Sequence, residues 1–224
     1  MVKVGLVTIG QSPRIDVTND LAKILPKDVE ILEAGALDDL DLGEIKERLA
    51  PKPGELLYVT RLKSGLEVKV SKERILGLMQ AKINLLEKLG AEIIGILCSG
   101  EFPEFSSGVP ILYPDKILKG VVSGIQYRGS AVVLIPSEDQ VLYASNKWSP
   151  YLKNLEVIPI SPYTSKIDDF EIVGKRIRDL GAGLVVMDCM GYSTDQKSAI
   201  GRITRSARII TSRGALGRAL AEMI

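Results

Sequence analysis

Two cysteines stand out because their surroundings match: Cys98-Ser99-Gly100 and Cys189-Met190-Gly191 each close a short apolar run. A thiol poised near neutral pH takes a proton when ionised and delivers one when protonated. On opposite faces of one carbon, such a pair would remove a proton from one side and return another to the other, the chemistry of cofactor-independent racemisation. The chain contains no histidine. That removes Ser-His-Asp and Cys-His nucleophile arrangements and most zinc sites, and leaves acid–base work to Cys, Asp, Glu, Lys, Tyr or water. A cysteine hydrolase is a weaker reading, since its thiol would lack the usual base. Against each cysteine alone stands the plain reading of a small buried apolar side chain.

The recurrence is longer than the triplets. Leu89-Gly90-Ala91-Glu92-Ile93-Ile94-Gly95-Ile96-Leu97-Cys98-Ser99-Gly100 runs beside Leu180-Gly181-Ala182-Gly183-Leu184-Val185-Val186-Met187-Asp188-Cys189-Met190-Gly191, with one offset of 91 residues for both the Leu-Gly-Ala and the Cys-x-Gly positions. Each copy reads as a helix end, a turn, a buried strand and a cysteine where the strand stops. A Leu-Gly-Ala triplet before a strand is common in α/β proteins; matched cysteines are not. The chain is therefore expected to hold two pseudo-two-fold-related halves whose cysteines face a shared cleft.

Ligands of parallel sheets bind beyond the carboxyl ends of the strands. That rule selects Cys98 and Cys189 as candidate catalytic residues. It selects Thr8, Gln11, Ser12, Arg14, Ser99, Gly100, Glu101, Ser137, Gly191, Tyr192, Ser193 and Thr194 as candidates for binding a small anionic ligand. Ser12-Pro13 reads as a helix N-cap followed by proline at the first helical position, with Arg14 able to grip a carboxylate or phosphate. The competing reading is a plain cap with a solvent-facing arginine. Glycines two residues after each cysteine would let backbone N–H groups approach a carboxylate. Glu101 and Glu104 read first as solvated loop charges and second as catalytic carboxylates, Asp188 as a structural carboxylate pointing away from Cys189, and Arg202, Arg205, Arg208, Arg213 and Arg218 as a solvated basic face from which one arginine could help an acidic ligand. Tyr192 fits a cleft wall or a packing position equally. No P-loop and no G-x-G-x-x-G is present, so no nucleotide cofactor is implied, and no metal is expected.

Short apolar runs alternate with amphipathic patterns, which predicts an α/β fold with parallel sheets flanked by helices. Strands are expected at Val4 to Ile9, Val29 to Glu33, Val109 to Leu112, Ala131 to Ile135 and Arg208 to Thr211. A loop and short helix fill Ala36 to Glu47, and a long helix runs from Ser71 to Leu89. Leu56 to Thr60 and Leu66 to Val70, joined through Ser64-Gly65, read as a β-hairpin inserted in the first half at about 56–70. The halves are expected at 1–116 and 117–224, with the C-terminal segment packing back on the first. With 224 residues, 46% hydrophobic, the chain can bury a sizeable core. Lys plus Arg (29) balances Asp plus Glu (28), so no basic field favours nucleic acid or an anionic membrane. The opening reads as a core strand rather than a signal peptide, and no stretch suits a membrane span. A cytoplasmic protein with reduced thiols is expected. The apolar hairpin offers a surface for pairing with a second copy.

Gly5-Leu6-Val7-Thr8-Ile9-Gly10-Gln11-Ser12-Pro13-Arg14, with Glu33-Ala34-Gly35-Ala36-Leu37-Asp38, Cys98-Ser99-Gly100-Glu101-Phe102 and Asp188-Cys189-Met190-Gly191-Tyr192, resembles the AroM family over essentially the whole chain. The name of that family is linked to aromatic amino-acid biosynthesis. More distantly, paired strand-end cysteines resemble the aspartate/glutamate racemase superfamily, with its hydantoin racemases, maleate isomerases and arylmalonate decarboxylases. That resemblance implies Cys98 and Cys189 as an acid–base pair acting without cofactor on a carbon next to a carboxylate. The amino-acid racemases typically follow their cysteines with Asn-Thr and Thr-His; Ser99-Gly100 and Met190-Gly191 stand here instead, which argues against amino-acid racemisation itself. The alternative is a non-catalytic small-anion binding or regulatory protein linked to aromatic amino-acid metabolism.

Overall fold

Strand β1 (Val2–Thr8) is buried from Val4 onward, as a strand covered on both faces must be. The computed structural model describes residues Met1–Ile224. Helix α1 (Ile15–Leu21) follows, then β2 (Val29–Gly35), α2 (Leu42–Arg48), the strands β3 (Leu57–Arg61) and β4 (Glu67–Ser71), the long α3 (Lys72–Lys88), β5 (Ile93–Ile96), a two-residue β6 (Ile111–Leu112) and α4 (Pro114–Ser123). The chain continues through β7 (Ser130–Ile135), α5 (Val141–Trp148), β8 (Leu155–Pro159), α6 (Ile167–Asp179), β9 (Ala182–Met187), α7 (Thr194–Thr204), β10 (Arg208–Thr211) and α8 (Ser212–Glu222). Two units result: Met1–Pro114 with Leu216–Ile224, and Asp115–Ala215.

The first unit holds a parallel sheet ordered β2-β1-β5-β6 and the antiparallel hairpin β3-β4. The hairpin strands lie one residue later than the sequence reading placed them. Helix α3 buries Ile75, Met79, Ile83 and Leu86, one stripe at helical spacing, against Val7, Ile9, Ile94 and Ile96. Each such side chain contributes roughly 1.5–3 kcal/mol by leaving water. The helix stops at Gly90, whose φ of +92° ends it in the left-handed conformation.

The second unit repeats the arrangement with the parallel order β10-β9-β7-β8. Read from the other edge, β8-β7-β9-β10 is the order of the first sheet with each strand replaced by its counterpart. Alternation along the strands feeds two cores. Val132, Leu134, Val185 and Met187 point to one face with Phe170 and Ile177, while Ala131, Val133, Leu184 and Val186 point to the other with Trp148 and Leu118. No helix is long and apolar enough to cross a membrane.

Candidate functional site

At the end of β5, Leu97 donates its N–H to the carbonyl of Val7 (2.7 Å), and Cys98 is the next residue. At the end of β9, Asp188 donates to Leu134 (2.9 Å), and Cys189 is the next residue. The cysteines thus occupy the same position of the same sheet order, one in each unit. Neither is in a disulfide; Cys98 is half-buried and Cys189 is 7% exposed.

The loops also fold alike. Gly100 N–H points at Cys98 Sγ (3.4 Å), and Gly191 N–H at Cys189 Sγ (3.3 Å). A hydrogen-bond donor aimed at a sulfur favours negative charge there. In each loop a tyrosine ring lies against the glycine. A Cβ on Gly100 would come within 2.4 Å of the Tyr58 ring, and one on Gly191 within 2.6 Å of Tyr163. Only glycine fits. Tyr58, brought by the hairpin, donates its hydroxyl to the Glu101 carbonyl (2.7 Å), and its ring starts a run through Phe102, Phe105 and Tyr113 that covers the loop beyond Cys98. Helix α3 holds the far end of that loop through Gln80 to Ser106 and Glu87 to Ser107 and Gly108. Those contacts, led by the Ser107 hydroxyl, keep the Glu87 carboxyl below the ordinary glutamate range.

Around Cys189 the supports are buried. Arg213 departs from the solvated face expected of the C-terminal arginines. It is instead 2% exposed, with Nε and Nη2 on the Met190 carbonyl (3.1 and 2.7 Å) and Nη2 on that of Gly191 (3.0 Å). The helix start that follows β10 turns it inward. Tyr163 Oη lies 3.9 Å from Cys189 Sγ. Asp188, facing the other way, accepts from Lys147 Nζ (3.1 and 2.8 Å) and Trp148 Nε1 (2.7 Å). Tyr192 is fully buried, edge-on to Phe170, with its hydroxyl on the Ile160 carbonyl (2.8 Å). Ser193 caps α7, accepting from Gln196 N–H (3.2 Å), and Thr194 is the first residue of that helix.

The loop after β1 is tied into its own unit. Thr8 Oγ1 accepts from Gly10 N–H (3.1 Å) and from Arg14 Nη1 (3.2 Å). The Arg14 fork closes on Asp16 (2.9 and 2.8 Å), and its side chain is buried rather than solvent-facing. Gln11 donates to the carbonyls of Leu37 and Leu40 (3.2 Å each) and accepts from Lys63 N–H (2.9 Å), joining the hairpin turn to two strand-end loops. Ser12 is not the N-cap expected: its N–H and hydroxyl both go to Asp38 (2.7 Å each), and α1 begins at Ile15 behind Arg14. Arg14 N–H donates to Glu33 (2.6 Å), whose carboxyl burial pushes above the ordinary glutamate range against that contact. In the second unit, Ser137 precedes a short 3₁₀ turn and donates to Asp139 (3.2 Å). A hollow of about 740 Å³ lined by Tyr127, Tyr151, Lys153 and Asn154 opens where β7 and β8 begin, and none of the expected site residues lines it.

Over residues 4–224 the sequence matches the family described as AroM protein. The chain belongs to the AroM family. No curated protein matches it in sequence. Solved structures share its fold at low identity. The maleate isomerase Iso from Pseudomonas putida S16 aligns at TM-score 0.64 and 14% identity, over 99% of this chain and 92% of that one. Allantoin racemase from Klebsiella pneumoniae aligns at 0.61 and 14%, over 100% and 87%. Picrophilus torridus aspartate racemase aligns at 0.56 and 15%, over 100% and 94%. The parallel sheets flanked by helices are those of the aspartate/glutamate racemase-like fold.

Proposed function

We propose that this AroM-family chain is a cofactor-independent isomerase of the racemase type, acting at a carbon next to the carboxylate of a small acid, with Cys98 and Cys189 as its acid–base pair. One observation carries the reading: two cysteines at equivalent strand ends, each with a glycine N–H on its sulfur and a tyrosine ring holding that glycine in place. A core thiol needs none of this. In the reaction, one thiolate takes the proton from the carbon and becomes a thiol. The carbon's electron pair spreads into the adjacent carboxylate, and the second thiol gives its proton to the opposite face and becomes a thiolate. Atoms and charge balance with no redox partner. The names of the structurally similar proteins, maleate isomerase, allantoin racemase and aspartate racemase, are those of isomerases and racemases, and the last acts on a small acid.

Gly100 and Gly191, whose N–H groups point at the sulfurs, with Ser99 and Thr194 of the same two segments, are proposed to meet the carboxylate. Thr8, Gln11, Ser12 and Arg14 set the shape of the neighbouring loop in the first unit. The test is exchange in deuterium oxide, following the proton next to the carboxylate by NMR over a panel of small amino, hydroxy and dicarboxylic acids. At least one acid should exchange, and Cys98→Ala and Cys189→Ala should each slow it by roughly 10²–10⁴-fold, the usual contribution of a general acid or base. A carboxylate bound tightly by the protein and by both variants, with no exchange in any, would establish the non-catalytic binding protein instead.

A further inference from the structure

Within the second unit, Tyr163 approaches Cys189 in two ways at once. Its ring fills the space that a side chain on Gly191 would need, with the phenol oxygen and ring carbon 2.6 Å from that Cβ position. Its oxygen lies 3.9 Å from the sulfur, within reach of an O–H to sulfur hydrogen bond. The tyrosine is itself braced: its N–H donates to Ser161 Oγ (3.1 Å), as does that of Thr164 (3.2 Å), and Gln196 of α7 donates to the preceding Pro162 carbonyl (3.0 Å). These bonds hold the backbone of the turn that carries the ring.

The other charged groups near Cys189 do different work. Arg213 donates to the carbonyls of Met190 and Gly191. Asp188 and Lys147 pair on the opposite face of the strand. The buried Tyr192 hydroxyl is on the Ile160 carbonyl. Tyr163 places its phenol oxygen 3.9 Å from the sulfur, in a chain where no histidine can fill that place.

We propose that Tyr163 is the positioning residue of Cys189, holding the sulfur with its phenol O–H and favouring the thiolate that would abstract a proton. The proposal deepens the proton-transfer reading and rests on it for the catalytic consequence. The contact is testable without a substrate.

In a Cys98→Ala background, Cys189 is the one remaining cysteine. Isotopic labelling of cysteine lets the Cβ resonance of Cys189 be followed by NMR through a pH titration, whatever the thiol's accessibility. Tyr163→Phe keeps the ring on Gly191 and removes the hydroxyl; Tyr163→Leu removes both. The expected result is a Cys189 midpoint that moves up by about half a unit or more in Tyr163→Phe, the direction of losing a donor to the thiolate. A midpoint unchanged in Tyr163→Phe overturns the proposal. So does a midpoint that moves in Tyr163→Leu alone, which would assign the effect to the ring rather than to the hydroxyl. The two readings fail separately. Exchange lost in Cys189→Ala with no midpoint shift in Tyr163→Phe removes the tyrosine and keeps the cysteine. A shift in Tyr163→Phe with no acid exchanged keeps the contact and removes the reaction.

Discussion

A single methyl group probes each cysteine loop. Gly100→Ala and Gly191→Ala place a Cβ inside the rings of Tyr58 and Tyr163, so something must move. Overpacking of this kind costs roughly 1–3 kcal/mol, and a displacement of about 1 Å at a reacting group can lower rate on the order of 10²-fold. Both substitutions should therefore reduce deuterium exchange far more than they reduce the urea midpoint; variants that fold less stably yet exchange at full rate would show the loops to be packing alone. Arg213→Lys keeps the charge but loses the planar fork on two carbonyls, and should cost about 1.5–3 kcal/mol in urea denaturation. The cysteines were legible in the sequence because their recurrence is written in the primary structure at one offset. Their supports were not. Tyr163 and Arg213 reach Cys189 and its loop from 26 and 23 residues away, and Tyr58 reaches Glu101 across 43, so no local pattern announces them. Arg213 in particular looked like one of a run of surface arginines until the start of α8 turned it inward.

Elements near the site are held by shared polar clasps rather than by apolar contact alone. Asp38 is the clearest: it accepts from Ser12 N–H, the Ser12 hydroxyl and Gly35 N–H (2.8 Å), pinning the loop after β1 to the turn after β2. Asp38→Ala leaves three donors without their acceptor, and should speed amide hydrogen exchange at residues 8–14 and 35–40 while leaving that of β9 unchanged; uniform speeding across both units would mean global loss of stability instead. The strands other than β8, and the long helix, could be read from the sequence pattern, and the hairpin from its β-rich runs around Ser64-Gly65. The start of α1 could not. Ser12-Pro13 has the form of a helix start, but Asp38, which is distant in sequence, takes both Ser12 donors and moves the helix on to Ile15.

At the scale of the whole molecule, the repeat is one of topology as well as of sequence: two parallel sheets with the same strand order, and a cysteine after the same strand of each. Family membership and the racemase-like fold agree with that repeat. Stability of the whole should carry one unusual slope with pH. Desolvation raises the Glu33 carboxyl. Below its unfolded value the group is protonated in both states and contributes nothing; above it, the unfolded chain ionises more readily, so stability falls as pH rises from the ordinary glutamate value to the raised folded one. Glu33→Gln, which keeps an acceptor for Arg14 N–H, should flatten that segment of the urea midpoint against pH and leave the midpoint at neutral pH unchanged or higher. An unaltered slope would assign it to other groups. The central claim is that both thiols serve one ligand. It is tested most directly by alkylating the native protein in rising concentrations of a carboxylate it exchanges and following each cysteine by mass spectrometry. Both thiols should be protected with one half-saturating concentration; protection of a single thiol, or two unrelated concentrations, would contradict it.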